Sequence, residues 1–167
     1  RLSVLPPEPE TSVSRPTGPV VSASPGAPVA AVAANPFARL SFVLPPARAG
    51  YAIAETWNGA RWQRVGTIFP LARLVVRPRG QGRQELPVAF TSAVAANGTL
   101  TLAGAAAARD GTQWPLRLTV RPCADSPRIE TQWQLDAPRA ASVLAFVGPT
   151  VLAGDRAFGA RKQFALF

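Results

Sequence analysis

The sequence contains no histidine and only one cysteine, Cys123, and these two scarcities exclude several kinds of chemistry. A zinc site built from protein ligands needs several His or Cys side chains, and a Ser-His-Asp triad needs a histidine base. A lone cysteine cannot form a disulfide within its own chain, so cysteine usage leaves the redox compartment open. We therefore expect no metal, no cofactor and no catalytic activity for this chain alone.

Long apolar runs and lysine are scarce as well. No stretch approaches the roughly 18 apolar residues of a membrane-spanning helix, so we predict no membrane span. Lys162 is the only lysine, and arginine supplies the other basic residues behind the net charge of +9. A bias towards Arg, Ala, Pro and Gly is typical of a GC-rich genome, and we favour that explanation of the charge over an acidic or polyanionic partner.

Turn-forming residues are abundant instead, with 18 prolines and 13 glycines in 167 residues. Turns about every 8 to 12 residues are typical of a β-sandwich or barrel rather than of alternating strands and helices. We predict an all-β fold, an antiparallel β-sandwich with a Pro-rich extended N-terminal tail. The predicted parts are a tail or linker over 1–36, a β-sandwich domain over 37–157 and an apolar extension over 158–167, the start of a linker to a further domain.

The clearest strand pattern lies in the last third of the chain. Two neighbouring stretches alternate with a period of two. The first has Trp114, Leu116, Leu118 and Val120 on one side, and the second has Ile129, Thr131, Trp133 and Leu135. This period of two predicts two half-buried strands with Trp114 and Trp133 in the core. If they pair antiparallel, Glu130 comes near Arg117 or Arg121. The apolar run from Ala141 to Leu152 predicts a third strand, covered on both faces.

Two Asn-Gly pairs predict tight hairpin turns. Asn58-Gly59 separates Tyr51–Glu55 from the stretch after Arg61, and Asn97-Gly98 separates two further apolar stretches. Asn and Gly tolerate the positive φ values that a type I′ turn requires. The alanine run 105–108 leaves two alternatives open, a brief helical turn or a continued strand.

A carbohydrate site needs an aromatic platform with polar neighbours, and Trp57, Trp62 and Gln63 are the best candidates. Trp57 and Trp62 flank the Asn58-Gly59 turn, whereas Trp114 and Trp133 fall on the apolar side of their strands. We favour mutual packing of Trp57 and Trp62 over a glycan platform.

A polyanion site is the second candidate. It would use arginines interleaved with Trp62 and Phe69, namely Arg61, Arg64, Arg73, Arg77, Arg79 and Arg83. Phosphate neutralisation combined with base stacking suits single-stranded nucleic acid, but no recognised nucleic-acid motif accompanies these residues. We favour a solvated arginine face and do not expect nucleic acid as a partner. The two carboxylates in predicted strands, Glu55 and Glu130, are expected to pair with arginine rather than to act as acid and base.

The block DGTQWPLRLTVRPCADSPRIETQWQLDAPRAASVLAFVGPTVLAGD, followed by FGARKQFALF, resembles a known type of domain. It is similar to the galactose-mutarotase-like β-supersandwich domain that precedes an α/α-barrel catalytic domain in bacterial glycosidase-like proteins. The likeness covers residues from about 97 to 167. It implies a β-sandwich fold, with the chemistry carried by the following helical domain, and it transfers no catalytic residue.

We therefore expect a non-catalytic accessory or structural domain of a larger carbohydrate-active bacterial protein, extracellular or on the cell surface. The alternative is a cell-surface assembly or adhesion module that associates through its tail or apolar C-terminus. An accessory domain would have as partners a catalytic or other domain of the same polypeptide and a polysaccharide. An assembly module would have neighbouring subunits as partners.

Overall fold

The computed structural model describes residues 14–46, 49–138 and 141–153, and the regular secondary structure in these ranges is entirely β-strand. The strands in chain order are β1 Val20–Ser24, β2 Val29–Ala34, β3 Ala38–Leu44, β4 Tyr51–Trp57, β5 Trp62–Ile68, β6 Arg73–Pro78, β7 Gln84–Pro87, β8 Ala89–Ala96, β9 Thr99–Ala107, β10 Gln113–Pro122, β11 Ile129–Leu135, β12 Ala141–Val147 and β13 Val151–Ala153.

The strands form three antiparallel sheets that pack together. The six-stranded sheet has the order β1-β2-β3-β4-β5-β13, the four-stranded sheet β11-β10-β9-β8 and the three-stranded sheet β12-β6-β7. Strands β1 to β3 lie face to face with β8 to β10, and buried side chains of β6 and β7 extend the same core. The predicted all-β, sandwich-type fold is confirmed.

The core is centred on the inward side of β10, as its alternation predicts. Trp114 is fully buried, and Leu116, Leu118 and Val120 follow it into the same apolar cluster. Each such side chain contributes about 1.5 to 3 kcal/mol by leaving water. Trp133 is only half-buried and packs on the core through Phe90 and Phe146, with ring centroids 6.3 and 5.2 Å away.

Strand β9 approaches β8 so closely that only glycine fits at position 104. A Cβ atom on Gly104 would lie 2.1 Å from the Ala89 carbonyl oxygen and 2.5 Å from the Phe90 Cα. The β8–β9 register shifts between Phe90 and Ser92, directly beside this contact. The same strand continues through the alanine run to Ala107, which decides between the two alternatives for residues 105–108.

The N-terminal tail is shorter than predicted, because β1 and β2 lie within residues 1–36. Ala31 and Ala33 of β2 are buried in the main core, and Val21 and Ala23 of β1 pack against it. The prolines of this stretch stand outside the two strands, so they remove no hydrogen bond from the ladder. The prediction of a linker is therefore wrong for residues 20–34. Residues 1–13 and the predicted extension 158–167 lie outside the described residues.

The two Asn-Gly pairs form different turns. Asn97 and Gly98 have φ values of 50° and 70° and connect the paired residues Ala96 and Thr99, as a two-residue type I′ turn requires. The first pair lies in a four-residue loop in which only Gly59 has positive φ. There the Asn58 Oδ1 atom accepts hydrogen bonds from the amides of residues 60 and 61, so the type I′ prediction is wrong at this loop.

The apolar run after residue 140 is also not the doubly covered strand that was predicted. Strand β12 is at the edge of the three-stranded sheet, and Leu144 and Phe146 are 46% and 40% exposed. The run is interrupted at 148–150, and Val151–Ala153 then pairs with β5 in the six-stranded sheet. An apolar run predicts a strand, but its place in a sheet depends on residues far away in the chain.

Candidate functional site

The outward side of the four-stranded sheet is polar across three adjacent strands. On β10 the exposed Arg117 and Arg121 alternate with the buried core residues, and half-buried Thr119 lies between them. The ladders pair Thr119 with Thr101 of β9 and with Gln132 of β11. Since paired residues of adjacent strands point to the same face, these side chains form one row.

A concavity of about 560 Å³ lies on this side of the sheet. The residues that line it are Thr99, Thr119, Arg121, Arg128, Ile129, Glu130, Thr131 and Gln132. Hydroxyl and carboxamide groups both donate and accept hydrogen bonds, guanidinium groups donate, and a carboxylate accepts. The concavity therefore suits a ligand with many hydroxyl groups. We call it the β9–β11 concavity.

The two arginines of the β9–β11 concavity differ in whether they bond to other side chains. Arg128 Nη2 lies 3.0 Å from Glu130 Oε1, and Arg128 Nε donates to Cys123 Sγ at 3.5 Å. The pKa of Arg128 is raised, first by the hydrogen bond to Cys123 and then by attraction to Cys123 and Glu130. Arg121 is exposed, lies opposite Glu130 in the ladder, and makes no ion pair with another described residue.

The loop that carries Arg128 is anchored by a buried residue, Asn35, which lies between β2 and β3 of the six-stranded sheet. The Asn35 side chain donates through Nδ2 to the carbonyl oxygens of Ser126 and Arg128, at 2.9 and 3.2 Å. Its Oδ1 accepts hydrogen bonds from the amides of Phe37 and Ala38. Asn35 is fully buried, and all four hydrogen-bonding positions of its side chain are used. The position of the loop is therefore set by the β2–β3 connection.

The structure brings together Trp57 and Trp62 from the predicted carbohydrate site, but not Gln63. The two indole rings are paired across β4 and β5, with centroids 5.5 Å apart and planes at 75°. The Arg39 guanidinium lies 4.7 Å from the centroid of the Trp62 ring. Gln63 points to the other face of β5 because successive side chains of a strand alternate. The two rings therefore pack on each other and on Arg39.

Arg39 also forms an enclosed ion pair with Glu55. Its Nε and Nη2 atoms donate to Oε2 and Oε1 of Glu55, at 2.6 and 2.8 Å, and the two side chains are only 9% and 15% exposed. A two-point contact of this kind holds both groups in one geometry. The expectation that Glu55 pairs with arginine is confirmed.

The arginines of the predicted polyanion site are divided between two hairpins. Arg61 and Arg64 belong to the β4–β5 hairpin of the six-stranded sheet, whereas Arg77, Arg79 and Arg83 belong to the β6–β7 hairpin of the three-stranded sheet. Two arginines of the predicted polyanion site bond to other side chains. Arg73 forms an ion pair with Glu85, and Arg64 donates a hydrogen bond to Thr67.

The β9–β11 concavity is not among the sites that the sequence predicted. The outward positions of β10 and β11 can be read from their alternation, but the register that joins them to Thr99 on β9 cannot be read from one strand alone. Arg121 and Glu130 are the exception, since the pairing of these strands placed them side by side. That pairing is confirmed, although the Glu130 carboxylate bonds to Arg128.

No family model, characterised protein or solved structure matches the chain. Within residues 14–46, 49–138 and 141–153, no group of three or more His, Cys, Asp or Glu side chains could hold a metal ion. In the same ranges there is no helix of the length and apolarity needed to cross a membrane.

Proposed function

We propose that this chain is a non-catalytic β-sandwich accessory domain of a larger carbohydrate-active protein, and that it contacts glycan through the β9–β11 concavity. The observation that carries the proposal is the row of polar side chains that three strands contribute to one open face. Sugar hydroxyls both donate and accept hydrogen bonds, and Thr119, Gln132 and Glu130 offer complementary groups. The resemblance to a domain of glycosidase-like proteins supports the same function.

The rigidity of the concavity also supports binding. Strand β10 lies inside the four-stranded sheet, hydrogen-bonded to β9 on one side and β11 on the other. Its inward side chains are anchored in the core, so the outward ones start from a fixed backbone. A site whose groups are already in place loses less conformational entropy when a ligand binds.

The test is binding to a panel of soluble polysaccharides, measured by affinity electrophoresis and by calorimetry on the intact chain. We expect at least one polysaccharide to bind, and Gln132→Ala to weaken that binding about fivefold or more through the loss of a ligand hydrogen bond. Gln134→Ala is the matched control, because Gln134 is exposed on the same strand but does not line the concavity. No binding to any polysaccharide, or equal losses in the two variants, would overturn the proposal.

A second candidate function, an assembly module, is favoured by the edge strand β12. An edge strand presents backbone groups that can pair with another strand, and β12 adds two exposed apolar side chains, Leu144 and Phe146. Sedimentation of the intact chain tests this function. An oligomer that Leu144→Lys dissociates would support assembly, provided that Val65→Lys, an exposed position on the inner strand β5, leaves it intact. A monomer at all concentrations would rule it out.

A further inference from the structure

We infer that the β9–β11 concavity selects acidic saccharides, and that Arg121 binds their anionic group. This inference rests on the proposed glycan-binding function and goes beyond it by naming the class of ligand. The shared chemistry is a sugar that carries an oxyanion, either the carboxylate of a uronic acid or a sulfate ester. Arg121 meets the anion, and the neighbouring threonines meet the sugar hydroxyls.

The first observation is the balance of charge around the concavity. Of the two arginines that line it, Arg128 is engaged by Glu130 at 3.0 Å and by the Cys123 sulfur. The Glu130 carboxylate is thus drawn towards the loop, although the ladder places Glu130 directly across from Arg121. Arg121 itself makes no ion pair with another described residue, so its guanidinium can bind an anionic ligand.

The second observation is the position of Arg121 beside hydroxyl groups. Thr119 lies two residues earlier on the same face of β10, and Thr99 lines the concavity from β9. A guanidinium group is a planar fork that can give two parallel hydrogen bonds to an oxyanion, and such charge-assisted bonds are about twice as strong as neutral ones. An anion with hydroxyl groups on either side of it is the chemical pattern of an acidic sugar residue.

The third observation separates Arg121 from the other exposed arginines. Arg117 lies four residues earlier on the same strand and face, is equally exposed, and pairs in the ladders with Ala103 and Gln134. Arg117 does not line the concavity. The two side chains thus share strand, face and charge, and differ in that only Arg121 lines the concavity.

The experiment measures binding of polygalacturonate, dextran sulfate and neutral dextran to the intact chain and to three variants, at fixed ionic strength. We expect one or both acidic polymers to bind at least tenfold more tightly than dextran. Arg121→Gln should lose about tenfold or more of that affinity, the usual effect of removing a hydrogen bond to a charged group. Arg117→Gln lowers the net charge by the same amount and should lose less than about threefold, by weaker general attraction alone.

Arg121→Lys tests the two-point contact of the guanidinium group separately from its positive charge. It keeps the net charge and should still lose several-fold, because an ammonium group cannot make the two-point contact. A preference for polygalacturonate identifies the carboxylate as the source of the anion, and a preference for dextran sulfate identifies the sulfate ester. Circular dichroism of each variant checks that the fold is retained.

The failures of the two proposals are distinguishable. Equal losses in Arg121→Gln and Arg117→Gln would reduce the binding to general attraction between a basic protein and a polyanion, and would overturn the inference. Equal binding of neutral and acidic polymers, still weakened by Gln132→Ala, would overturn acidic selection but keep the glycan-binding function. Binding of no polysaccharide would overturn both.

Discussion

The outward faces of the two larger sheets use arginine in opposite ways. On the six-stranded sheet, Arg39 is 8% exposed, holds Glu55 at two points and lies over the Trp62 ring. On the four-stranded sheet, Arg121 is exposed and has no ion pair within the described ranges. An arginine whose donors are used by the protein stabilises the fold, whereas one whose donors face solvent is available to a ligand.

The difference shows why composition alone is a poor guide to the site. The two tryptophans that look most like a binding site in the sequence, Trp57 and Trp62, pack on each other, and Arg39 lies over Trp62. The residues of the β9–β11 concavity are individually ordinary, and only the register of three strands makes them a site. Four predictions test this contrast between the six-stranded sheet, where arginine is paired, and the four-stranded sheet, where it is exposed.

The largest effect is expected on the inward side of the four-stranded sheet, where Gly104→Ala should lower the free energy of unfolding by about 3 kcal/mol. The added Cβ meets backbone atoms of Ala89 and Phe90, which cannot move aside as a side chain could. Urea unfolding followed by tryptophan fluorescence measures the loss. Gly82→Ala is the control, since nothing lies within 4 Å of its Cβ position. A loss below about 1 kcal/mol at Gly104 would contradict the tight β8–β9 contact.

The next effect compares the two faces directly. Glu55→Gln should cost about 2 to 3 kcal/mol, because it leaves the enclosed Arg39 guanidinium without its counter-ion. Glu130→Gln removes the carboxylate of an exposed pair and should leave the urea midpoint nearly unchanged. Equal losses in the two variants would show that the faces do not differ as described.

Asn35→Ala should cost about 2 kcal/mol, because four backbone groups lose the buried side chain that bonds to them. Asn58→Ala removes a side chain that also accepts two amide hydrogen bonds, but in an exposed loop, so its loss should be smaller. Thermal and urea unfolding of both variants measure the difference. Similar losses of unfolding free energy in the two variants would mean that burial of Asn35 adds no stability.

The smallest effect concerns pH. The pKa of Asp110 is lowered from its usual 3.8, first by the backbone hydrogen bond from Thr112, then by the hydroxyl of that residue. Gln81 Nε2 also donates to Asp110 Oδ2, at 2.7 Å, and joins the turn before β10 to the β6–β7 hairpin. Because the folded pKa is depressed, the stabilisation is present above about pH 3.8 and is lost as pH falls through the folded value.

Carbon-detected NMR titration of the Asp110 carboxyl should therefore give a midpoint below 3.8. Asp110→Asn should narrow the stability difference between pH 7 and pH 2.5. Asp125→Asn is the control, an exposed aspartate in the loop after β10. A midpoint at or above 3.8 would contradict the hydrogen bonds at this turn.

The sequence predicts best those parts of the fold in which the alternation of apolar and polar residues is complete within one strand. The alternation of β10 and β11 predicted two strands, the burial of Trp114 and a position of Glu130 near Arg117 or Arg121, and the register places Glu130 opposite Arg121. The turn at Asn97 and Gly98 was predicted for a similar reason, since two residues carry its requirement for positive φ. In each case the physical cause is local.

The wrong predictions concern features that depend on contacts between residues far apart in the chain. The prolines that flank β1 and β2 suggested a tail, yet small side chains of β2, Ala31 and Ala33, alternate into the core. The exposure of β12 follows from its place at a sheet edge, which the apolar run does not encode. The β9–β11 concavity likewise depends on which strands become neighbours.

The contact of Asn35 with the carbonyl of Arg128 joins residues 93 positions apart. One rim of the concavity therefore depends on a contact between parts of the chain that are far apart in sequence. A fragment that starts after Asn35 would keep Arg121 but lose this anchor for Arg128. If the chain binds glycan as proposed, a ligand held at this rim would raise the free energy of unfolding.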